Sequence, residues 1–167
     1  LVESLRAAGA GVIGLDIVFS EPSDAAADAA LAAALGPDTV LAADREVIAL
    51  AHGVQETLVA PLPLLTRSGA LTGVTSVDLD ADGVLRRLPR GEDSFAAQIL
   101  RREGTTPPSL PERPLVQVFG GPRTYPTVSY YQALDPASHL PPGFFTGRTV
   151  LVGLSLKAAP LPDSGAA

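Results

Sequence analysis

The chain has 167 residues, enough for one domain with a sizeable core. Its 12 basic and 18 acidic residues give a formal net charge of -6, which argues against nucleic acid or anionic lipid as a partner, because both bind basic surfaces. The absence of cysteine excludes disulfides and thiolate metal sites, and no apolar run reaches the roughly 18 residues that a bilayer-spanning helix needs.

The first elements predict a strand enclosed by helices. Residues 1–8 carry apolar side chains at helical spacing, and Gly9 stands where such a helix would end. Residues 12–19 are apolar except for Gly14 and Asp16. An apolar run of this length predicts a strand buried on both faces, which is typical of parallel or mixed sheets.

The next elements continue a βαβ pattern. Asp24 is a candidate cap for a helix over residues 25–35, whose apolar anchors are Leu31 and Leu35. Residues 39–43 predict a second buried strand, parallel to the first. Residues 46–51 predict a third strand, which turns at His52 and Gly53.

The middle of the chain predicts a hairpin and another helix. After a short helix over residues 61–67, two strand-like runs at 71–78 and 84–88 are joined by Asp-Ala-Asp-Gly, a turn sequence. Ser94 is a candidate cap for a helix that reaches about Arg102.

The remaining elements are short. Residues 104–114 contain four prolines and predict a loop, residues 115–119 predict a strand, and a short helix ends at Leu134. Residues 148–154 predict a last buried strand. The elements together predict an α/β fold with a mixed, mostly parallel central sheet, helices on both faces and a β-hairpin near residues 71–88. We expect this domain to cover residues 1–157 and residues 158–167 to form a disordered tail.

Several motifs occur in an order and spacing that resemble the type-two CHASE domain, over nearly the whole chain. They are Gly-Ala-Gly-Val-Ile-Gly-Leu-Asp-Ile-Val-Phe-Ser-Glu-Pro at 9–22, Asp28 with Leu-Ala-Ala-Ala-Leu at 31–35, Asp-Ala-Asp-Gly-Val-Leu-Arg-Arg at 80–87, Ser-Phe-Ala at 94–96 and Gly-Arg-Thr-Val-Leu-Val-Gly at 147–153.

The resemblance implies an extracellular or periplasmic sensor of a bacterial signalling protein, and not a catalyst. In proteins of this kind the domain lies between membrane helices, which connect it to a cytoplasmic cyclase, histidine kinase or Ser/Thr kinase. The resemblance implies no cofactor and assigns no ligand residues. We therefore expect an extracytoplasmic domain of an inner-membrane receptor that detects an unknown small-molecule or protein stimulus. We also expect the chain to be a fragment that is incomplete at both ends.

Asp16 is the most informative candidate site residue. A carboxylate inside a strand that is buried on both faces is costly unless it is paired or hydrogen-bonded. One interpretation is structural, with Asp16 accepting hydrogen bonds from neighbouring backbone, such as that of residues 20–23. The other is functional, with Asp16, Ser20 and Glu21 forming the floor of a ligand site at the carboxyl edge of the sheet, where open α/β sheets bind ligands.

Two motifs resemble known sites without their context. Residues 9–14 match Gly-x-Gly-x-x-Gly, but nucleotide binding needs the glycines to follow a strand and begin a helix, and here they follow a helix and begin a strand. Asp78, Asp80 and Asp82 match the opening of a calcium loop, but its twelfth position is Pro89 instead of Glu. We therefore expect tight turns at both places, with Arg86 and Arg87 offsetting the charge of Asp80 and Asp82.

The other reactive residues give weaker indications. Ser155 and Lys157 are two residues apart, but nothing nearby predicts an oxyanion hole. His52 and His139 lie in unrelated loops without metal-ligand spacing, and we expect both to be exposed. The alternatives to a sensor are a structural or dimerisation module without a small-molecule ligand and a soluble hydrolase-like enzyme domain. The sequence leaves open whether the domain forms a homodimer.

Overall fold

A computed structural model of the protein describes residues 1–50, 52–89, 91–111, 114–121 and 124–154. The predicted tail and the pair Ser155 and Lys157 lie outside the described residues. The helices are α1 (Val2–Ala7), α2 (Ala25–Ala34), α3 (Pro63–Thr66), α4 (Phe95–Arg102), α5 (Tyr130–Leu134) and α6 (Pro136–His139). The strands are β1 (Val12–Leu15), β2 (Thr39–Leu50), β3 (Gly53–Val59), β4 (Leu71–Val74) and β5 (Thr149–Val152).

The five strands form one mixed sheet that is mostly parallel, as predicted. β1 pairs in parallel with β2 on one side and with β5 on the other. The first half of β2 also pairs in parallel with β4, through the register Val40↔Leu71 to Ala43↔Val74. The second half of β2 pairs antiparallel with β3. The carboxyl ends of β1, β4 and β5 therefore lie at a common edge of the sheet. β2 crosses this edge after Ala43 and continues to Leu50.

The sheet has helices on both faces, which confirms the predicted layering. On one face Ile13, Leu15 and Leu41 pack with Leu5 of α1 and Leu35, which follows α2. On the other face Val12 and Val40 pack with Ile99 and Phe95 of α4. This arrangement follows from the strand period, since successive side chains of β1 and β2 point to opposite faces.

Both predicted helix caps are confirmed. Asp24 Oδ1 accepts hydrogen bonds from the backbone N–H groups of Ala26 and Ala27, at 3.1 and 2.9 Å. Ser94 Oγ accepts one from Ala97 at 3.3 Å. Each cap satisfies backbone donors that the first turn of a helix leaves unpaired.

Glycine allows α4 to lie directly against the sheet. A Cβ atom placed on Gly73 of β4 would be 2.5 Å from the Cα of Phe95. A Cβ on Gly14 of β1 would be 3.0 Å from the ring of Phe95 and 3.1 Å from the side chain of Ile99. The close contact between α4 and these strands therefore requires that both positions have no side chain.

The first strand is shorter than predicted. β1 ends at Leu15, and Asp16 and Ile17 are exposed. The Asp16 N–H still donates to the Val152 carbonyl at 2.8 Å, but farther along the chain the Phe19 carbonyl accepts a hydrogen bond from Leu62. The prediction of a buried strand over residues 12–19 is therefore wrong beyond Leu15, because the chain leaves the sheet to contact the segment before α3.

The third predicted strand is part of a longer one. β2 runs unbroken from Thr39 to Leu50, and β3, which was not predicted, pairs with its second half. In the sequence, the charged pair Asp44 and Arg45 separates the two predicted strands 39–43 and 46–51. In the structure both residues pair with β3, so a single strand continues through them.

The predicted hairpin near residues 71–88 forms only its turn. The Asp80 N–H donates to Val84 and the Gly83 N–H donates to Asp80, at 3.0 and 2.8 Å. The first arm is β4, which pairs with β2 and not with residues 84–88, and those residues contain no strand. The physical reason is burial, because β4 gains a place beside a core strand, whereas a local hairpin would leave both arms on the surface.

Two other predicted strands also differ. In the described chain, residues 115–119 form no strand: Leu115 makes an isolated bridge with Arg87, and the Val116 N–H donates to the Arg86 carbonyl at 2.9 Å. The predicted last buried strand is β5, which is half-exposed, with Leu151 65 % exposed. Among the described residues β5 lies at the end of the strand order and pairs only with β1.

Candidate ligand-binding edge of the sheet

Asp16 lies at the carboxyl edge of the sheet, between neighbouring strands. It directly follows β1, and the backbone of β5 ends beside it. A Cβ atom placed on Gly153 would lie 3.4 Å from the Asp16 Cβ and 3.7 Å from Oδ2. Gly153 therefore leaves open the space next to the carboxylate.

The carboxylate of Asp16 faces solvent, which corrects the prediction of a buried acid. Across the described residues no protein group donates a hydrogen bond to it. One of the expected backbone donors has another partner, since the Ser23 N–H donates to Asp28 Oδ2 at 2.9 Å. The hydrogen bonds expected from residues 20–23 are therefore not formed, and among the described residues the Asp16 oxygens accept no hydrogen bond.

Ser20 and Glu21 lie on the loop that leaves this edge. Ser20 is half-buried and Glu21 is exposed. The loop is anchored just before them, where the Phe19 carbonyl accepts the Leu62 N–H at 2.8 Å and the Phe19 side chain packs on the core. The described contacts join none of the three predicted site residues to another, so this edge is an open surface carrying two exposed acids and a hydroxyl.

A second polar group at the same edge was not predicted from the sequence. The Ser76 hydroxyl donates to Asp44 Oδ1 at 2.5 Å, and the Arg45 N–H donates to both, at 2.6 Å to Ser76 and 2.9 Å to Asp44. The Arg45 side chain lies between two carboxylates, at 2.7 Å from Glu56 and 3.2 Å from Asp93. We call Asp44, Arg45, Ser76, Asp93 and Glu56 the edge cluster.

The edge cluster is internally satisfied. Its hydroxyl, its backbone donor and its guanidinium are all paired within the cluster, so it holds β2, β3, the segment after β4 and the segment before α4 together. The sequence signal was the charged pair that directly follows the buried run 40–43. The partners of Arg45 are Glu56, Ser76 and Asp93, which lie 11 to 48 positions away in the sequence. The sequence alone therefore did not predict that these residues form a cluster.

The turn at residues 80–83 forms the ion pairs that the sequence predicted. The Arg86 guanidinium contacts both oxygens of Asp82, at 2.7 and 2.8 Å, and also Asp80 at 3.1 Å. The Arg87 Nε lies 3.5 Å from Asp80, too far for a good hydrogen bond. Hydrogen bonding with Arg86 lowers the pKa of Asp82, and the same contact raises the pKa of Arg86. The carboxylates are therefore occupied by arginine.

A cavity of about 630 Å³ lies away from the predicted site, between α4 and the proline-rich segment. Its walls include Leu88, Leu100, Pro107, Pro108 and Leu110, with Arg101 among its polar groups. It shares no lining residue with Asp16, Ser20 or Glu21. The two histidines are exposed as expected, and His139 makes an edge-to-face contact with the Tyr131 ring at 5.2 Å.

Open α/β sheets often bind ligands at the carboxyl ends of their strands, which makes this edge the candidate site. Among family models, the model for the CHASE2 domain matches residues 1–164. The chain belongs to the CHASE2 family, the extracellular sensory domains of membrane-anchored signalling proteins. This confirms the resemblance found in the sequence, and the family is sensory rather than catalytic.

Two further observations complete the comparison. Searches of curated proteins and of solved structures gave no match to this chain. Within the described ranges, no helix has both the length and the hydropathy that crossing a membrane requires.

Proposed function

We propose that this domain is the extracytoplasmic sensor of a bacterial transmembrane receptor whose output is a cyclase, a histidine kinase or a Ser/Thr kinase. The family match over residues 1–164 carries this proposal. In it the domain lies on the periplasmic or cell-surface side of the inner membrane and performs no chemistry itself. A fusion of alkaline phosphatase to the end of this domain in the parent protein tests the location. Phosphatase activity in intact cells is expected, and its absence would contradict the proposal.

In this proposal a ligand binds at Asp16, Ser20 and Glu21. The supporting observation is that Asp16 has an exposed carboxylate without a hydrogen-bond donor among the described residues, next to a glycine that leaves space beside it. Two carboxylates and a hydroxyl suit a ligand that is positively charged or rich in hydrogen-bond donors.

The proposed site lies beside the end of β5, so ligand binding there can affect the conformation of that end. The Asp16 N–H donates to the Val152 carbonyl, and Gly153 lies against the Asp16 side chain. A ligand that contacts Asp16 therefore touches the point where the chain leaves β5. Binding that favours one of two arrangements of this segment shifts their populations, and a receptor can relay that difference.

Calorimetric titration of the whole chain tests the site. The probes are putrescine as a diamine, glucose as a donor-rich neutral molecule and succinate as a dianion. We expect binding of the first or second probe but not of succinate, and a loss of at least about tenfold in affinity in Asp16→Asn, since a hydrogen bond to a charged group is worth about 1.5–3 kcal/mol. Asp78→Asn removes another exposed acid outside the site and is the matched control.

The outcomes distinguish the alternatives. If Asp78→Asn weakens binding as much as Asp16→Asn does, the effect is one of net charge and the assigned site is wrong. If no probe binds, a structural or dimerisation module is favoured. A specific observation also supports that second candidate function, namely an apolar hairpin that projects from the same edge of the sheet.

A further inference from the structure

The second half of β2 and the whole of β3 form a two-stranded projection beyond the parallel sheet. We call residues 44–50 and 52–59 the β-arm. The β-arm is exposed from Glu46 to Leu58 wherever it is described. The contacts at its base are those of the edge cluster, which join Arg45 and Glu56 to the segments around Ser76 and Asp93.

The β-arm exposes apolar side chains on both faces. The register pairs Val47 with Glu56 and Ala49 with Val54, so one face carries Val47, Val54 and Leu58, which are 63, 71 and 55 % exposed. The Arg45–Glu56 ion pair lies on this same face, at its base. The opposite face carries Ile48 and Leu50, which are 47 and 55 % exposed.

An isolated ribbon of this kind is poorly stable in water. Two strands without a covering layer are marginal, because they bury too little apolar surface. In the described part of the chain β3 pairs only with β2, so its other edge presents unpaired backbone groups. The feature therefore calls for a partner that offers both an apolar surface and backbone hydrogen bonds.

We propose that the β-arm associates with the β-arm of a second copy of this chain. On this face the charge of Glu56 is compensated by Arg45 at 2.7 Å, and residues 47–50 and 52–55 carry no ionised side chain apart from any charge on His52. Two copies with a net charge of -6 each can therefore meet there with little repulsion between the contact surfaces. A second β3 also supplies the complementary backbone groups, and pairing about a two-fold axis closes after two copies.

A lipid surface fits these observations less well. The one Lys or Arg side chain of the β-arm, Arg45, is already paired with Glu56 and Asp93, so apart from any charge on His52 the arm has no free cation for anionic headgroups. Hydrocarbon also offers no hydrogen bonds to the free edge of β3. The observations therefore favour protein over membrane.

The size of the β-arm suits a modest interface. Seven paired residues at about 3.4 Å each make it about 24 Å long. A face of that length together with the β3 edge supplies on the order of 500 Å² per copy, so about 1,000 Å² in total, near the lower limit for a specific interface. We therefore expect a weak dimer. This inference does not depend on ligand binding at Asp16.

Sedimentation equilibrium of the whole chain tests the proposal, at concentrations up to about 200 µM so that a weak complex is populated. We expect a monomer–dimer equilibrium. The double variant Val47→Lys with Val54→Lys should weaken it at least about tenfold, since it places two charges in the apolar face. Leu151→Lys, which changes an equally exposed side chain of β5, is the matched control and should leave the equilibrium unchanged.

Cross-linking provides a measurement that does not depend on disruptive variants. The chain contains no cysteine, so Val47→Cys, Val54→Cys and Leu58→Cys each introduce a single thiol. A short bismaleimide should join two copies through at least one of these positions and not through Leu151→Cys. Circular dichroism confirms that each variant is folded.

Several outcomes would overturn the proposal. They are a monomer over the whole concentration range, a dimer that Leu151→Lys weakens and the arm variant does not, or cross-links at position 151 alone. Flotation of the chain with vesicles of phosphatidylcholine and phosphatidylglycerol, abolished by the arm variant, would assign the β-arm to the membrane instead.

Discussion

Arg6 of α1 and Asp38, the residue before β2, form a two-pronged ion pair in which Nε lies 2.6 Å from Oδ2 and Nη2 lies 2.8 Å from Oδ1. Arg6 Nη2 also donates to the Ala34 carbonyl at 3.0 Å. One side chain therefore joins α1, the end of α2 and the entrance to β2. Hydrogen bonding with Arg6 lowers the pKa of Asp38.

Asp38→Asn should destabilise the domain by about 1 kcal/mol at neutral pH, a value at the upper end for partly exposed pairs because the geometry is two-pronged. A carboxyl group whose pKa is lower in the folded than in the unfolded protein stabilises the fold while it is ionised. This contribution is fully present above the unfolded pKa, near 4, and is lost as the pH falls through the folded pKa. The wild type should therefore lose more stability than the variant between about pH 5 and pH 2. Urea unfolding at a series of pH values measures both effects.

Asp82→Asn is the control for this prediction. Asp82 also has a lowered pKa caused by an arginine, but its ion pair is fully exposed on a turn. Its substitution should change the free energy of unfolding much less than Asp38→Asn does. Equal effects would show that the Arg6 link between elements adds nothing beyond a surface ion pair.

Gly73→Ala should destabilise the domain by about 2–3 kcal/mol, as overpacking in a closely packed core does. The reason is that the new Cβ would meet the Cα of Phe95 at 2.5 Å, a backbone atom that moves only if α4 moves. Thermal unfolding should show a decrease of roughly 5–10 °C in Tm. Gly121→Ala, where a Cβ meets nothing within 4 Å among the described residues, is the control and should have little effect.

Thr39→Val should cost about 1–2 kcal/mol, because it leaves a buried donor without its partner. The Thr39 side chain is fully buried, and its Oγ1 accepts the Gly36 N–H at 3.1 Å and donates to the Gly36 carbonyl at 2.5 Å. In the variant the Gly36 carbonyl still accepts a hydrogen bond from the Thr39 N–H, so the Gly36 N–H is the group that loses its partner. Thr39→Ser keeps the hydroxyl and should be closer to the wild type in chemical denaturation, and the reverse order would contradict this account.

Ser76→Ala should loosen the base of the β-arm without unfolding the domain. The Ser76 hydroxyl joins the Arg45 N–H to Asp44, and its loss removes two of the hydrogen bonds that hold β2 beside the segment after β4. Hydrogen exchange measured by mass spectrometry should become faster in residues 44–59 while exchange in β1 is unchanged. Glu46→Gln changes an exposed side chain of the β-arm and should leave the exchange rates as they are.

Local chemistry and burial made a large part of this fold predictable. The runs at Val12–Leu15 and Thr39–Ala43 are apolar enough to predict buried parallel strands, and they are buried. Asp24 and Ser94 form the predicted caps, and the Asp80–Gly83 turn forms with Arg86 on its carboxylates. In each case the deciding interaction lies within a few residues, or depends only on the hydrophobicity of the segment.

The sequence predicted Asp16 inside a buried strand and offered the edge of the sheet as its position only in the functional interpretation, so it did not determine the environment of the carboxylate. Burial of Asp16 depends on where β1 stops, and that is set by contacts of Phe19 and Val152 with remote segments. Only the tertiary structure placed Asp16 in solvent beside Gly153. The role of Asp16, Ser20 and Glu21 in binding stays a prediction.

The amino-acid order alone determined the layered α/β class, the buried strands, the caps and the family, because these depend on periodicity, on short-range hydrogen bonds and on motifs in series. Only the tertiary structure decided that β4 pairs with β2 rather than with residues 84–88, that β2 extends into a projecting arm, and that Arg45 meets Glu56 and Asp93. The physical reason is that a strand edge accepts any partner with free backbone groups. The choice among partners rests on the burial that each gains from residues far away in the chain.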